Sequence, residues 1–492
     1  MPNPMLLHPF HTRNSCYVYD ASTNEIVGVD RNTYDMLGAP DCGSPGSAGP
    51  RDNGDGTERA DSRLVGTVRQ LQAESGLPLG AEFSSMSPPV CENHFHQLLD
   101  AQMHQLLLDT SERCNLRCKY CLYSGGYSHE RRHSSRLMSE GVALKALGYF
   151  LDHSRASEEI AVSFYGGEPL TNLRVIQACV LRANQERSDR AIQYTVDTNA
   201  TLMTDEILDF LFENDFTIQV SLDGPRAVHD RYRVYVDQSG TFDRVMQVLK
   251  QIHERSEEYF LNKVVLAVTI APPYRLPELA SFFSSIPVPH TLSVNMVGFA
   301  GCDPRAIFGE DAIDLTFGSQ CSKMLSEYID QKIRSSDNSV DPFLAKLFEA
   351  PLIKIHRRSR QPHDGSCPPN GICLPGSRRL FVTVDGTFYP CERVGESFPI
   401  GSVEDGVDKS LVQKLIDEYI AMSVDECTNC WACRLCNICF AAARASKRLD
   451  PRAKRVSCES KRAELHQALV NYAEIMEANS HAFDFVETMV FV

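Results

Sequence analysis

The residues with the clearest chemistry are Cys114, Cys118 and Cys121, a C-x3-C-x2-C triplet in the run Cys-Asn-Leu-Arg-Cys-Lys-Tyr-Cys. The apolar Leu106-Leu107-Leu108 ends just before it, so the triplet is expected on a loop leaving a strand. Three thiolates on one short loop can hold three irons of a [4Fe–4S] cube and leave the fourth open to a small molecule. Zinc is the rival, although a structural zinc usually takes four protein ligands. A second concentration lies late in the chain, where nine of the 18 cysteines fall between Cys367 and Cys458. Thiols clustered in this way, with no secretion signal, point to metal rather than disulfides.

Composition narrows the setting. The 492 residues have room for about three domains with buried cores. With 49 Lys and Arg against 64 Asp and Glu, the net charge is -15, which argues against nucleic acid or an anionic membrane as partner. No apolar run is long enough to span a bilayer and no charged-then-apolar leader is seen, so a cytoplasmic location is expected.

Around the triplet the chain alternates between strand and helix patterns. Strands are predicted at Leu106, Ile160–Tyr165, Ile192–Thr198, Thr217–Ser221, Val264–Ile270 and Leu292–Met296, separated by helical stretches. Six such repeats predict a parallel sheet in a full or partial barrel, with chemistry at the carboxyl ends of the strands. The triplet, Gly166-Gly167-Glu168-Pro169, Asn199 and Ser221-Leu222-Asp223-Gly224 all fall at such ends. Before this lies a small unit: strands at Ser15–Tyr19 and Ile26–Val29, a helix capped from Asp30, a flexible Gly/Pro/Ser/Asp-rich insert, and a helix from about Arg63 to Glu74. Its exposed sheet edge suits an added peptide strand. A helical connector from Gly301 to His363 leads to a hairpin, Leu380–Val384 and Thr387–Pro390, turning at Asp385-Gly386. A last helix is predicted from Lys461 to Ala478. The expected divisions are 1–98 with an insert near 38–62, 99–300, 301–365 and 366–492.

Taken together, C-x3-C-x2-C, Gly-Gly-Glu-Pro and Ser-Leu-Asp-Gly resemble the radical S-adenosylmethionine superfamily from about Leu106 to Met296. The resemblance implies an α/β fold with a partial (β/α)6 TIM-like barrel. It implies that Cys114, Cys118 and Cys121 hold a cluster whose open iron binds S-adenosylmethionine. Gly166, Gly167 and Glu168 would meet the methionine amino group, Tyr120 would pack near the adenine, and Asn199 and Ser221 would contact ribose or carboxylate. The tail resembles SPASM twin-cluster extensions. By that analogy Cys367, Cys373, Cys391 and Cys439 hold an inner auxiliary [4Fe–4S] cluster and Cys427, Cys430, Cys436 and Cys458 an outer one, three clusters in all, with zinc the alternative. Cys436 and Cys439 are separated by two residues where the family has three, and Cys433 is an additional thiol. Glu392, beside Cys391, matches a position where sulfatase-maturing relatives carry an Asp base. The run Tyr17-Val-Tyr-Asp, Ile26-Val-Gly-Val-Asp, Tyr34-Asp-Met-Leu resembles the winged-helix-like, leader-binding start of thioether-forming peptide maturases of the SCIFF and ranthipeptide classes. The implied activity is Cys sulfur-to-carbon crosslinking of a ribosomal precursor peptide, with flavodoxin or ferredoxin as reductant. Carbon–carbon or ether crosslinking, epimerisation, formylglycine formation in sulfatases, and a non-catalytic peptide-binding Fe–S protein are the alternatives.

Overall fold

The computed structural model describes residues 3–38, 57–128, 130–186, 191–299, 301–335, 339–360, 365–367 and 371–488. The chain opens with an antiparallel sheet of β1 (Leu7–His11), β2 (Cys16–Asp20) and β3 (Glu25–Val29), in that order. β2 and β3 are the predicted pair. β1 was not expected, because Pro9 and two histidines break the strand pattern; a proline is tolerated there because β1 is an edge strand. α1 (Arg31–Leu37) starts at Asp30, whose carboxylate accepts from the Thr33 amide. The flexible insert predicted after it lies largely outside the described residues, and α2 (Thr57–Ser75) follows.

After β4 (Ser85–Met86) and α3 (Glu92–Ala101) comes the alternation read from the sequence. It runs β5 (Gln105–Ser111), α4 (Glu140–Asp152), β6 (Ile160–Gly166), α5 (Leu173–Glu186), β7 (Ile192–Thr198), α6 (Asp205–Glu213) and β8 (Thr217–Ser221). It continues through α7 (Arg226–Tyr232), α8 (Phe242–Arg255), α9 (Glu257–Lys263), β9 (Val264–Ile270), α10 (Leu276–Ser285) and β10 (Thr291–Met296). β5 to β10 pair in parallel, each with its sequence neighbour. Period-two side chains give the sheet two faces. Val264, Leu266, Val268 and Ile270 of β9 are buried in the main apolar core, while Val265, Ala267 and Thr269 are only partly covered. α8 buries Val245, Val248, Leu249 and Ile252, a single stripe at helical spacing.

The connector is helical as expected: α11 (Pro304–Phe308), α12 (Phe317–Arg334) and α13 (Pro342–His356). The rest holds β11 (Ser366–Cys367), β12 (Leu380–Val382), β13 (Thr387–Tyr389), β14 (Gly401–Ser402), β15 (Gly406–Val407), α14 (Lys409–Ala421), α15 (Val424–Cys427), β16 (Arg444–Ala445), β17 (Arg448–Leu449) and α16 (Pro451–Ala478). The predicted hairpin is β12–β13, but it does not stand alone. β12 pairs in parallel with β5, so one mixed sheet of ten strands runs β10-β9-β8-β7-β6-β5-β12-β13-β14-β15. The last helix begins ten residues earlier than predicted and contains Cys458, because Asp450 caps it and Pro451 fills its first turn. Cys302 and Cys321 in the connector are half-buried. Among the described residues no helix is long and apolar enough to cross a membrane.

Candidate active site

The loop after β5 carries the triplet. Buried Leu116 anchors it in a small apolar cluster with Cys118, Tyr120, Tyr232 and Phe308, against which Cys114 and Cys121 also pack. Backbone amides turn toward two of the sulfurs: Leu116 N lies 3.3 Å from Cys114 Sγ and Tyr123 N 3.4 Å from Cys121 Sγ. Burial pushes the Cys114 and Cys118 thiols up to about 12 and raises Cys121 as well. Thiols of this kind, two with an amide aimed at the sulfur, are donors for a metal cation that takes the place of the proton, although among the described residues no three His, Cys, Asp or Glu side chains stand gathered closely enough to hold one.

The Gly-Gly-Glu-Pro run docks on this loop. Gly166 has φ +138, and a Cβ there would sit on the Ser111 carbonyl oxygen and 2.6 Å from Asp109 Oδ1. A Cβ on Gly167 would lie 2.7 Å from the Arg113 carbonyl oxygen. Gly167 N donates to Ser111 O at 2.6 Å and Glu168 N to Arg113 O at 2.9 Å. The glycines therefore permit close approach to the cysteine loop's own backbone. Glu168 is 1 % exposed; its carboxylate accepts from Leu170 N, Thr198 Oγ1 (2.8 Å) and Asn199 N (2.8 Å). Burial raises it to about 7 against those hydrogen bonds. Asn199 Nδ2 lies 3.8 Å from Cys114 Sγ and donates to Asn115 Oδ1, tying the end of β7 to the triplet.

Tyr120 is buried, and its hydroxyl donates to Asp223 Oδ2. Asp223 also pairs with Arg233 at 2.9 Å and accepts from Thr269 N. Asp223 was not singled out from the sequence, although it stands inside the Ser-Leu-Asp-Gly motif. Ser221 is half-buried at the end of β8. On the partly covered face of the sheet, burial raises Asp197 to about 7, with Glu392 the strongest neighbouring charge pushing the same way. Glu392 is held bidentately by Arg379 Nη1 at 2.7 and 2.8 Å, and its carbonyl accepts from buried Arg131. Arg379 Nε in turn donates to Gln105 at the start of β5.

The later cysteines fall into two groups. A small cavity of about 40 Å³ is lined by Cys367, Cys427, Cys430, Cys433, Cys436 and Cys458, with Lys454, Lys461 and Arg462. Lys454, 2 % exposed, donates to Cys427 Sγ at 3.3 Å and reaches Cys458 Sγ at 4.0 Å. Cys373, Cys391 and Cys439 form a separate group within electrostatic reach of one another. This departs from the grouping expected by analogy at one residue. Cys367 is drawn away because β11 pairs with β4 and seats its sulfur against Cys433 and the Cys427 carbonyl. Cys436 and Cys439 do face different groups, with Tyr419 donating to Ile438 O between them.

The stretch from β5 to β9 that builds this geometry matches the model of the radical SAM superfamily over residues 108–269. The chain carries a radical SAM domain. Proteins of this superfamily use S-adenosylmethionine and a [4Fe–4S] cluster. Beyond that domain, the chain is 23% identical over 360 residues to the cysteine-type anaerobic sulfatase-maturating enzyme of Clostridium novyi (strain NT), covering 70% of this chain and 88% of that protein. A serine-type anaerobic sulfatase-maturating enzyme of Bacteroides thetaiotaomicron is 29% identical over 153 residues, which is 31% of this chain and 37% of its own. In fold, the solved structure of native anSMEcpe with bound AdoMet superposes with a TM-score of 0.55 at 20% identity. It is covered over its whole length, while 78% of this chain is used.

Proposed function

We propose that this radical SAM protein is a maturase of a ribosomally synthesised peptide that joins a Cys sulfur to a carbon of another residue. Reduced S-adenosylmethionine supplies a 5′-deoxyadenosyl radical that takes a hydrogen from the substrate. Cys114, Cys118 and Cys121 would hold the first cluster. Glu168, with three donors already on its carboxylate, would meet the methionine ammonium at the edge of that site, beside Gly166 and Gly167. Tyr120, Asn199 and Ser221 would line the nucleoside side. Cys373, Cys391 and Cys439, and the thiols of the cavity lined by Cys427, Cys430, Cys436 and Cys458, would hold the auxiliary clusters, one of which would take the electron left after bond formation. Glu392, fixed by Arg379 next to Cys391, would accept the proton released as the new bond forms. The exposed edge of β3 would take the leader as an added strand.

The observation that carries this reading is the amino-terminal sheet. A three-stranded sheet whose outer strand has an open edge is a device for holding an extended peptide. Formylglycine formation is the second reading, favoured by the names of the relatives. Anaerobically reconstituted protein, reduced with S-adenosylmethionine and Cys-containing peptides from neighbouring reading frames, separates the two. A loss of two hydrogens per crosslink, with those cysteines no longer alkylatable, is expected. The same loss with every cysteine still alkylatable refutes the thioether, and conversion of a sulfatase-derived Cys peptide to an aldehyde supports the second reading.

A further inference from the structure

The chain is acidic overall, yet residues 444–462 hold eight Lys and Arg against two acidic residues. Two of the eight turn inward: Arg444 pairs with Glu130, and Lys454 reaches the thiols. Lys447 and Arg448 on the β16–β17 hairpin and Arg452 and Arg455 on α16 are exposed, as is Val456 on the same helix, at 67%. Nearby acids offset part of this charge: Asp450 is spent on the α16 amides of Arg452 and Ala453, Glu426 pairs with Arg455, whose side chain remains 64% exposed, and exposed Glu459 lies one turn beyond Arg455 on the same helix. Directly behind the patch is the thiol-lined cavity, and half-buried Cys458, on the same helix as Val456, lines it. The amino-terminal sheet is elsewhere: Thr12 and Tyr17 bond to Glu477 near the other end of α16.

We propose that Lys447 and Arg448 of the β16–β17 hairpin and Arg452 and Arg455 of α16, with exposed Val456, dock an acidic one-electron carrier protein over the cavity. This rests on the reading that the cavity holds an auxiliary cluster. Exposed cations beside an apolar side chain give fast, salt-sensitive, short-lived association, which suits a carrier that must leave after each transfer. The step makes and breaks no bond: the reduced carrier loses one electron and the cluster gains one. A cationic patch of this size in a chain of net charge -15 favours a compact acidic protein over a long polyanion.

The test uses the full chain with reconstituted clusters and reduced flavodoxin as the probe, following cluster bleaching by stopped flow. In the unmodified protein the rate should fall about tenfold or more between about 50 and about 300 mM salt. R448E/R452E should be slowed about tenfold or more at low salt, with iron content and bleaching by dithionite unchanged. An unaltered carrier rate in that variant, or a rate insensitive to salt, overturns the proposal. Should R448E/R452E lose iron, K447E reads the same surface from the β16–β17 turn, and an unchanged rate there is equally fatal. A precursor peptide that loses binding in these variants while the carrier rate holds would make the patch a peptide site instead. Anisotropy of labelled flavodoxin separates docking from the cluster reading: a C427S chain that binds the carrier and retains the full iron content sinks the cluster while the docking stands.

Discussion

Replacing Glu168 by Gln tests whether the carboxyl that anchors the candidate cofactor site is held against its own preference. The side chain is buried, and burial moves it from its ordinary 4.5 to about 7. The folded state therefore binds this proton more tightly than the unfolded state. Stability contributed here is present below the unfolded value and is lost as pH rises through the window from 4.5 to about 7. Between about pH 5 and pH 8 the loss amounts to about 2 to 3 kcal/mol. Glu168→Gln removes that dependence. It also costs roughly 1 to 2 kcal/mol at every pH, because an amide presents one acceptor oxygen to three donors. The variant should thus be the less stable protein near pH 5 and should close or reverse the gap by pH 8. Urea unfolding followed by circular dichroism, on matched preparations of both chains, reads the difference. Asp109, also raised to about 7, contributes the same slope to both proteins and cancels, whereas Asp197, which the Glu168 charge helps to raise, is lowered in the variant and flattens its slope further. A stability difference that stays flat with pH refutes the reasoning.

Other substitutions probe neighbouring features. Gly166→Ala forces a side chain onto the Ser111 carbonyl in a left-handed region, so we expect a loss of at least about 2 kcal/mol and weaker S-adenosylmethionine binding by calorimetry. Glu392→Gln, if the carboxylate is the base, should lower peptide product about 100-fold or more while 5′-deoxyadenosine still forms; equal losses of both products would rule that role out. Lys454→Met removes a cation hydrogen-bonded to Cys427 and Cys458, and the cluster proposed there should become harder to reduce in an EPR-monitored titration. An unchanged potential would mean that Lys454 only fills space.

The central sheet was legible because its strands are apolar runs bounded by turn residues, and the motifs read at strand ends do lie at the carboxyl ends of β5 to β8. What was not legible depends on contacts distant in sequence. β1 hides behind Pro9, which only an edge position excuses. The departure of Cys367 from its expected group follows from pairing with β4, some 280 residues earlier. Asp223 was visible as a motif letter, but its bonds to Tyr120 and Arg233 come from three separate segments. Arg379 carried no signal at all: nothing in a chain read locally says that an arginine before a strand will clasp the carboxylate of Glu392.

The parallel pairing of β12 with β5 makes the tail and the radical SAM domain a single folding unit. Leu380, Phe381 and Val382 align with Leu106, Leu107 and Leu108, all six of them buried. A chain cut before β12 would leave β5 as a bare, apolar edge strand directly beneath the cysteine loop, open to pairing with another molecule. Trimming the chain before β12 should therefore produce aggregates rather than a stable smaller protein.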